Sequence, residues 1–347
     1  MAEHKTVAEP PACPCRRADT GGATRAAPFL QPTDADHRCA AVPGRRPATT
    51  LGTVPAALAS RAVCGLVGGG MGLVLRRFPS AVRIETTNAC NAYCAICPHR
   101  VMRRPMRRMD DALFARIVDE CAAGGCRQIH LHNFGEPLLD PQLAERIRYA
   151  KDRGIRRVKI FSNGSLLDEP WARRLIAAGL DEIKISFDGG GREQFARLRP
   201  PLDFDRVLNN VCRLVTLRNQ LGAPLRILAT CSAAGDRRET ARLLRPVVDG
   251  LVFGRVHNWA GTEPVGPPRA VRKPCLRLWR TLTVLAGGEV ALCCLDYDGR
   301  HLLGRIDEST TLATIWHGQA YAEVRRRHVE ARQGDLLLCR GCSKAFL

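Results

Sequence analysis

Three cysteines, Cys90, Cys94 and Cys97, fall in the segment IETTNACNAYCAICPHR with three and then two residues between them. Three thiolates on one short loop can hold three irons of a cubane iron-sulfur cluster and leave the fourth iron without a protein ligand. An iron left open in this way is available to a reacting ligand. Chance is the first rival, because the chain carries 16 Cys in 347 residues. Random placement at that composition gives the triple roughly 0.03 times per chain, whereas a bare CxxC arises roughly 0.7 times. The triple therefore carries weight that an isolated CxxC does not.

Elements able to position the triple surround it. A strand-like run over residues 81–86 leads into the cysteine loop, and a second over 128–132 ends in Asn133-Phe134-Gly135-Glu136-Pro137. Residues 110–123 carry Leu113, Ile117, Val118 and Cys121 at helical spacing behind two acidic residues that suit a helix N-terminus. Helical patterns follow over 141–153, 171–178, 204–221 and 239–248, with strand patterns over 157–162, 182–186, 225–230 and 251–257. Six strands interleaved with helices imply an α/β fold with a parallel sheet and right-handed crossovers.

With these motifs the chain resembles the radical S-adenosylmethionine (radical SAM) enzymes. There a CxxxCxxC loop follows the first barrel strand, and a GGE-like motif after the second binds the amino group of SAM. Gly135-Glu136-Pro137 is a variant of that motif. The resemblance implies an open, partial (β/α)6 barrel over residues 76–262, with the ligand site at the carboxyl ends of its strands. It implies a SAM-binding 4Fe-4S cluster on Cys90, Cys94 and Cys97, with S-adenosyl-L-methionine as cofactor. SAM chelates the open iron through its amino and carboxylate groups, and one electron from the reduced cluster releases methionine and a 5'-deoxyadenosyl radical. The protein's part is to align the target carbon and exclude water, oxygen and stray hydrogen donors.

The same resemblance assigns candidate SAM contacts, of which Glu136 is the strongest. Ser162 and Asn163 after the third strand, and Ser186 and Asp188 after the fourth, match positions around the ribose and carboxylate. Ile96 in the cysteine loop, and Asn258 and Trp259 after the sixth strand, match positions near the adenine. Ordinary turn roles compete for the Ser, Asn and Asp residues among them. His130 and His132 alternate onto one face of the second strand, as satisfied interior histidines or as substrate hydrogen-bonding groups.

A second cysteine group lies near the end of the chain. Cys275 precedes a hairpin pattern, residues 281–284 turning through Gly287-Gly288 into 290–294. After a helical pattern over 311–330, the chain closes with Cys339-Arg340-Gly341-Cys342. Cys275, Gly288 and Cys293 match the start of the SPASM pattern that follows many radical SAM barrels, but the chain stops five residues after Cys342. That departure implies a shorter, Twitch-like hairpin-plus-helix domain over residues 270–347. It would hold one auxiliary 4Fe-4S cluster on Cys275, Cys293, Cys339 and Cys342, with no open iron and a role in moving electrons. A structural zinc is the competing occupant of four thiolates. Cys294 either substitutes for Cys293, donates hydrogen to a substrate radical, or fills the hairpin core. Cys121, Cys126, Cys212 and Cys231 read as small buried apolar residues.

Composition bounds the remainder. A 347-residue chain with 45% apolar residues can bury one large domain and a small one. The net charge of +19 comes from 47 Arg and only 6 Lys, a ratio that codon bias in a GC-rich genome produces. The basic residues scatter over predicted helix faces, so a nucleic-acid track is not favoured. A non-catalytic, nucleic-acid-binding metal module also leaves Gly135-Glu136 unexplained. The positive field does favour an anionic substrate or cofactor. The densest basic run, residues 100–108, is either an exposed loop or a contact for a phosphate or an acidic redox partner, such as flavodoxin or ferredoxin.

Residues 1–75 show no sustained period and read as a disordered tail, with no metal role for Cys13, Cys15, Cys39 or Cys64. Initiation near Met71 is an open alternative. The apolar stretch 62–75 is too short to span a bilayer, is interrupted by three glycines, and starts too deep for a secretory signal. The expected location is the cytoplasm, where thiols stay reduced and serve metals. Enzymes with this cysteine layout include an aminocyclitol dehydrogenase of aminoglycoside biosynthesis and maturases of ribosomal peptides. The N-terminal segment shows no winged-helix periodicity, so oxidation or epimerisation of a small sugar or aminocyclitol is the expected reaction, with peptide or protein modification as the alternative.

Overall fold

A computed structural model describes residues 56–73, 75, 77–232, 234–261 and 271–346. Helix α1 (Ala56–Leu73) precedes an alternating series: β1 (Ala81–Ile84), α2 (Asp111–Ala123), β2 (Gln128–His130), α3 (Leu143–Asp152), β3 (Arg157–Ser162), α4 (Glu169–Ala177) and β4 (Glu182–Ser186). It continues through α5 (Arg192–Leu198), α6 (Phe204–Gln220), β5 (Arg226–Ser232), α7 (Arg237–Leu244) and β6 (Gly250–Gly254). Strands β1 to β6 lie side by side, all parallel, in chain order.

Alternation explains the two faces of this sheet. Val82, Ile84, Ile129, Val158, Ile160, Ile183, Ile185 and Ile227 are completely buried in one core with the helix residues Ile117, Val118, Ile147, Leu175 and Leu214. The residues between them point the other way, into the barrel. Register sets Arg83, His130, Lys159 and Glu182 in one row across that inner face. The acidic helix openings act as caps: Asp110 accepts from the Ala112 and Leu113 amides, and Asp168, Asp203 and Asp236 cap α4, α6 and α7 in the same way.

The C-terminal hairpin, β7 (Thr281–Val284) and β8 (Glu289–Ala291), is joined by β9 (Leu302–Arg305). It does not stand apart from the barrel: β7 pairs parallel to β1, so one nine-stranded sheet runs from β6 to β9. The edge that β1 would otherwise expose is thereby covered. The helical pattern of 311–330 divides at Gly318 into α8 (Leu312–His317) and α9 (Gln319–Val329), and α10 (Leu337–Arg340) carries Cys339.

Residues 56–73 correct the expectation of disorder. They form a helix against α9, docked by Ser60, Cys64 and Gly68, its only buried residues. A Cβ on Gly68 would lie 2.7 Å from Val329 Cγ2, so the glycine permits the close approach. Gln333 Nε2 donates to Cys64 Sγ at 3.3 Å. The docking stripe of Ser, Cys and Gly is no more apolar than the exposed face, which carries Leu58, Leu66, Val67 and Leu73, so no period showed in the sequence. The helix is also longer than the apolar run suggested. By length and composition it could cross a membrane, yet here it lies along α9. The expectation for residues 1–55, Cys13, Cys15 and Cys39 included, lies outside the described residues.

Candidate active site

Cys90, Cys94 and Cys97 line a cavity of about 470 Å³ at the carboxyl ends of β1 to β6. Their loop is fixed from several sides. The Tyr93 and Ala95 amides donate to the Pro200 and Leu198 carbonyls at 2.6 and 3.0 Å, and His99 Nε2 bonds the Asn88 carbonyl at 2.8 Å. Burial pushes the Cys90 thiol up to about 12 and Cys97 to about 11. Cys94 is raised by the same cause, with the Arg199 guanidinium opposing it. Such thiols ionise when a cation arrives, which is the behaviour of metal ligands.

The Gly135-Glu136 motif is docked on this loop. Gly135 has φ +112°, and a Cβ there would lie 2.6 Å from the Thr87 carbonyl oxygen and 2.8 Å from that of Ala89. Only glycine allows both the conformation and the approach. The Glu136 amide then donates to the Ala89 carbonyl at 2.8 Å, one residue before Cys90. The buried Glu136 carboxylate accepts from Ser162 Oγ at 2.8 Å, the Asn163 amide at 2.7 Å and the Leu138 amide at 3.1 Å. Burial outweighs these donors and pushes its carboxyl up to about 7. Asn163 Nδ2 also donates to Asn91 Oδ1 at 2.8 Å, so the β3 loop clasps the cysteine loop between Cys90 and Cys94.

Ile96, Gly135, Glu136, Ser162, Asn163, Ser186, Asp188, Trp259 and Cys294 all line the cavity. Trp259 Nε1 donates to the Ile96 carbonyl at 2.8 Å, joining the two residues matched to the adenine. Pro137 does not line it; it opens a short 3-10 turn for which Glu136 is the cap. Asn258 faces elsewhere, donating to the Gly341 carbonyl at 2.6 Å and accepting from the Ser343 amide at 3.1 Å. Consecutive residues therefore brace the two cysteine loops.

Several participants escaped sequence reading. Arg199, just beyond α5, pairs with buried Asp188 and lies 3.6 Å from Cys94 Sγ. Glu85, fully buried, takes a forked pair from Arg104 at 2.8 and 3.0 Å and further bonds from the Phe134 and Ala286 amides. It ties the cysteine-loop exit, the β2 loop and the hairpin together. Arg104 belongs to the run 100–108 and is thus an internal brace rather than a partner contact, since its side chain is only 14% exposed.

Cys275, Cys293, Cys339 and Cys342 converge on a second, narrow cavity walled by Leu278, Leu292, Leu295 and Leu338. The Cys275 amide is met by Nδ1 of buried His328 at 3.2 Å. Burial raises Cys275, Cys293 and Cys339. Among the described residues no group of three or more His, Cys, Asp or Glu is arranged to hold a single metal ion. Four thiolates at this cavity suit a 4Fe-4S cluster or a tetrahedral zinc alike. Cys293 faces this cavity, whereas Cys294 faces the larger one, with Arg277 Nη1 at 2.9 Å from its Sγ.

Three cysteines at an open cavity of a parallel half-barrel, with four more at a narrow one beside it, form an arrangement able to serve an iron-sulfur enzyme. The model of the radical SAM superfamily matches residues 84–217, and that of the SPASM iron-sulfur cluster-binding domain matches residues 275–343. The chain belongs to the radical SAM superfamily and carries a C-terminal SPASM domain, which together imply SAM, a SAM-binding 4Fe-4S cluster and auxiliary iron-sulfur. GTP 3',8-cyclase of Chlorobaculum tepidum is 35% identical over 135 residues, 39% of this chain and 40% of that protein. PqqA peptide cyclase of Gluconobacter oxydans is 33% identical over 114 residues, 31% of this chain and 30% of that one. The chain thus matches well under half the length of these relatives. Among solved structures, BtrN in complex with AdoMet and 2-DOIA superposes with TM-score 0.56 at 21% identity, covering 77% of this chain and 94% of that one. SuiB of Streptococcus suis bound to precursor peptide SuiA gives TM-score 0.59 at 12% identity, covering 75% and 69%. At these identities the likeness is one of fold.

Proposed function

We propose that this chain removes a hydrogen atom from a carbinol carbon of a small polar substrate, of the sugar or aminocyclitol type, and oxidises or epimerises it in the cytoplasm. An auxiliary 4Fe-4S cluster on Cys275, Cys293, Cys339 and Cys342 serves as the electron relay, and a flavodoxin or ferredoxin as the donor. The observation that carries this reading is the division of neighbours Cys293 and Cys294 between two cavities that share Arg277 and Leu295 as a wall. A substrate in the larger cavity lies one side-chain layer from the auxiliary thiolates.

When bound, SAM and its cluster supply a 5'-deoxyadenosyl radical able to attack an unactivated C–H bond. The protein's residues do the positioning. Glu136 and Asn163 present acceptor and amide groups beside Cys90. The Arg199–Asp188 pair closes the opposite side, and Trp259 anchors the Ile96 backbone. Phe134, Phe161 and Leu295 give the cavity its apolar surface. Cys294 stands where a hydrogen donor for an epimerisation would stand.

Peptide modification is the second reading, favoured by the PqqA peptide cyclase match. Anaerobic reconstitution should give about eight irons per chain, and a deuterated sugar or cyclitol should pass its label to 5'-deoxyadenosine. Label transfer only from a peptide would replace the first reading with the second.

A further inference from the structure

The inner face of the barrel carries more positive charge than its own carboxylates answer. Arg83, Lys184, Arg255 and Arg277 line the large cavity. Its two lining carboxylates are both engaged, Glu136 by three internal donors and Asp188 by Arg199 and the Ser232 amide. Glu182, in the row beneath, is shared between Lys184 at 3.5 Å and Arg226 at 3.8 Å. Arg83 has no carboxylate partner among the described residues. Its hydrogen bond is a long one, from Nη1 to the His132 carbonyl at 3.5 Å.

His132 adds a second, independent sign. It is 5% exposed and lines the cavity, with neither ring nitrogen in a well-formed hydrogen bond. Its ring stacks on Phe161 with centroids 4.3 Å apart, which fixes its plane. Burial first, and then the neighbouring Arg83, push His132 well below its ordinary range, so the ring is neutral. Arg83 is half-buried and faces the cavity, so a ligand that displaces water from its guanidinium incurs a cost on the order of several kcal/mol unless it brings an anion.

We infer that the substrate carries an anionic group, a phosphate or a carboxylate, which seats against Arg83 and Lys184 and takes a hydrogen bond from His132. This rests on the reading that the large cavity is the substrate site. An ammonium group meets no free carboxylate on this wall, so a cationic aminocyclitol is disfavoured and a phosphorylated or acidic sugar or cyclitol fits. The rival role for Arg83 is as counter-charge to Cys293 and Cys294, which lie within its electrostatic reach.

The test is calorimetric titration of the anaerobically reconstituted, SAM-loaded full chain with sodium orthophosphate, sodium acetate and methylammonium chloride at low ionic strength. One of the two anions should bind saturably at one site per chain, and methylammonium should not. Stronger phosphate binding indicates a phosphorylated substrate, and stronger acetate binding a carboxylate. Arg83→Gln should weaken that binding at least tenfold with SAM affinity and iron content unchanged. Lys184→Gln should weaken it about fivefold and carries the test if the Arg83 variant does not fold. Arg127→Gln, at the other end of the strands, should change nothing. No saturable anion binding, equal binding in both variants, or methylammonium binding as tightly would overturn the inference. Unchanged anion binding with loss of auxiliary iron in Arg83→Gln would do so as well, by assigning Arg83 to the cluster. SAM cleavage by the wild type is scored separately, so the radical reading and the anion site fail independently.

Discussion

Cys90, Cys94 and Cys97 face a cavity of about 470 Å³ whose wall includes Glu136, Asn163 and Arg199. Cys275, Cys293, Cys339 and Cys342 face a narrow one walled by leucines together with Arg277, His328 and Lys344. Three sulfurs would leave a metal position that a ligand can reach, and four sulfurs would leave none. The two sites are also braced differently. The first loop is held by other loops of the barrel, through Gly135, Asn163 and the carbonyls of Leu198 and Pro200. The second is held by buried His328 and by Asn258. Opening and closing a cluster is thus a matter of ligand number and of what lines the remaining side.

The sharpest way to break this contrast is to remove one sulfur from each site. Cys94→Ala should abolish SAM cleavage and lower the iron count from about eight to about four per chain. Cys339→Ala should lose auxiliary iron and retain cleavage to 5'-deoxyadenosine. Next in size is Gly135→Ala, which places a methyl against the Thr87 and Ala89 carbonyls at positive φ. It should cost about 2 kcal/mol or more in thermal unfolding and weaken SAM binding, with the auxiliary site intact.

A smaller effect follows from Glu136. Burial raises its carboxyl to about 7, so the charged acceptor is present above that pH and is lost as pH falls through it. SAM affinity measured by equilibrium dialysis should drop by up to about tenfold per pH unit below about 7. In Glu136→Gln the profile should be flat; a slope that survives there assigns the titration to another group. Smallest is the brace on the closed site. Asn258→Ala removes two bonds to the Cys339–Cys342 loop. It should cost about 1 kcal/mol and speed chelator removal of auxiliary iron, with the first cluster unaffected.

Much of this was legible in the chain because short-range rules govern it. Cysteine spacing marked both sites, strand-like runs marked β1 to β6, and the acidic opening at Asp110 marked the start of α2. What stayed hidden depends on distant partners. Nothing local in the hairpin says that β7 pairs with β1. Arg104 reads as one more exposed arginine until Glu85 is brought beneath it. Arg199 follows a helix of seven residues, too short for periodicity to announce, and reaches Asp188 only through the fold. The docking stripe of α1 is made of small residues and its exposed face carries Leu58, Leu66, Val67 and Leu73, so the two faces give no hydropathy contrast.

The open position at the first site is the central claim, and electron paramagnetic resonance of the reduced, reconstituted protein tests it most directly. Adding SAM should shift the signal of one cluster in the wild type and in Cys339→Ala, and should shift nothing in Cys94→Ala. A SAM-dependent shift that persists in Cys94→Ala, or one that is lost in Cys339→Ala, would contradict the assignment of the open iron to Cys90, Cys94 and Cys97.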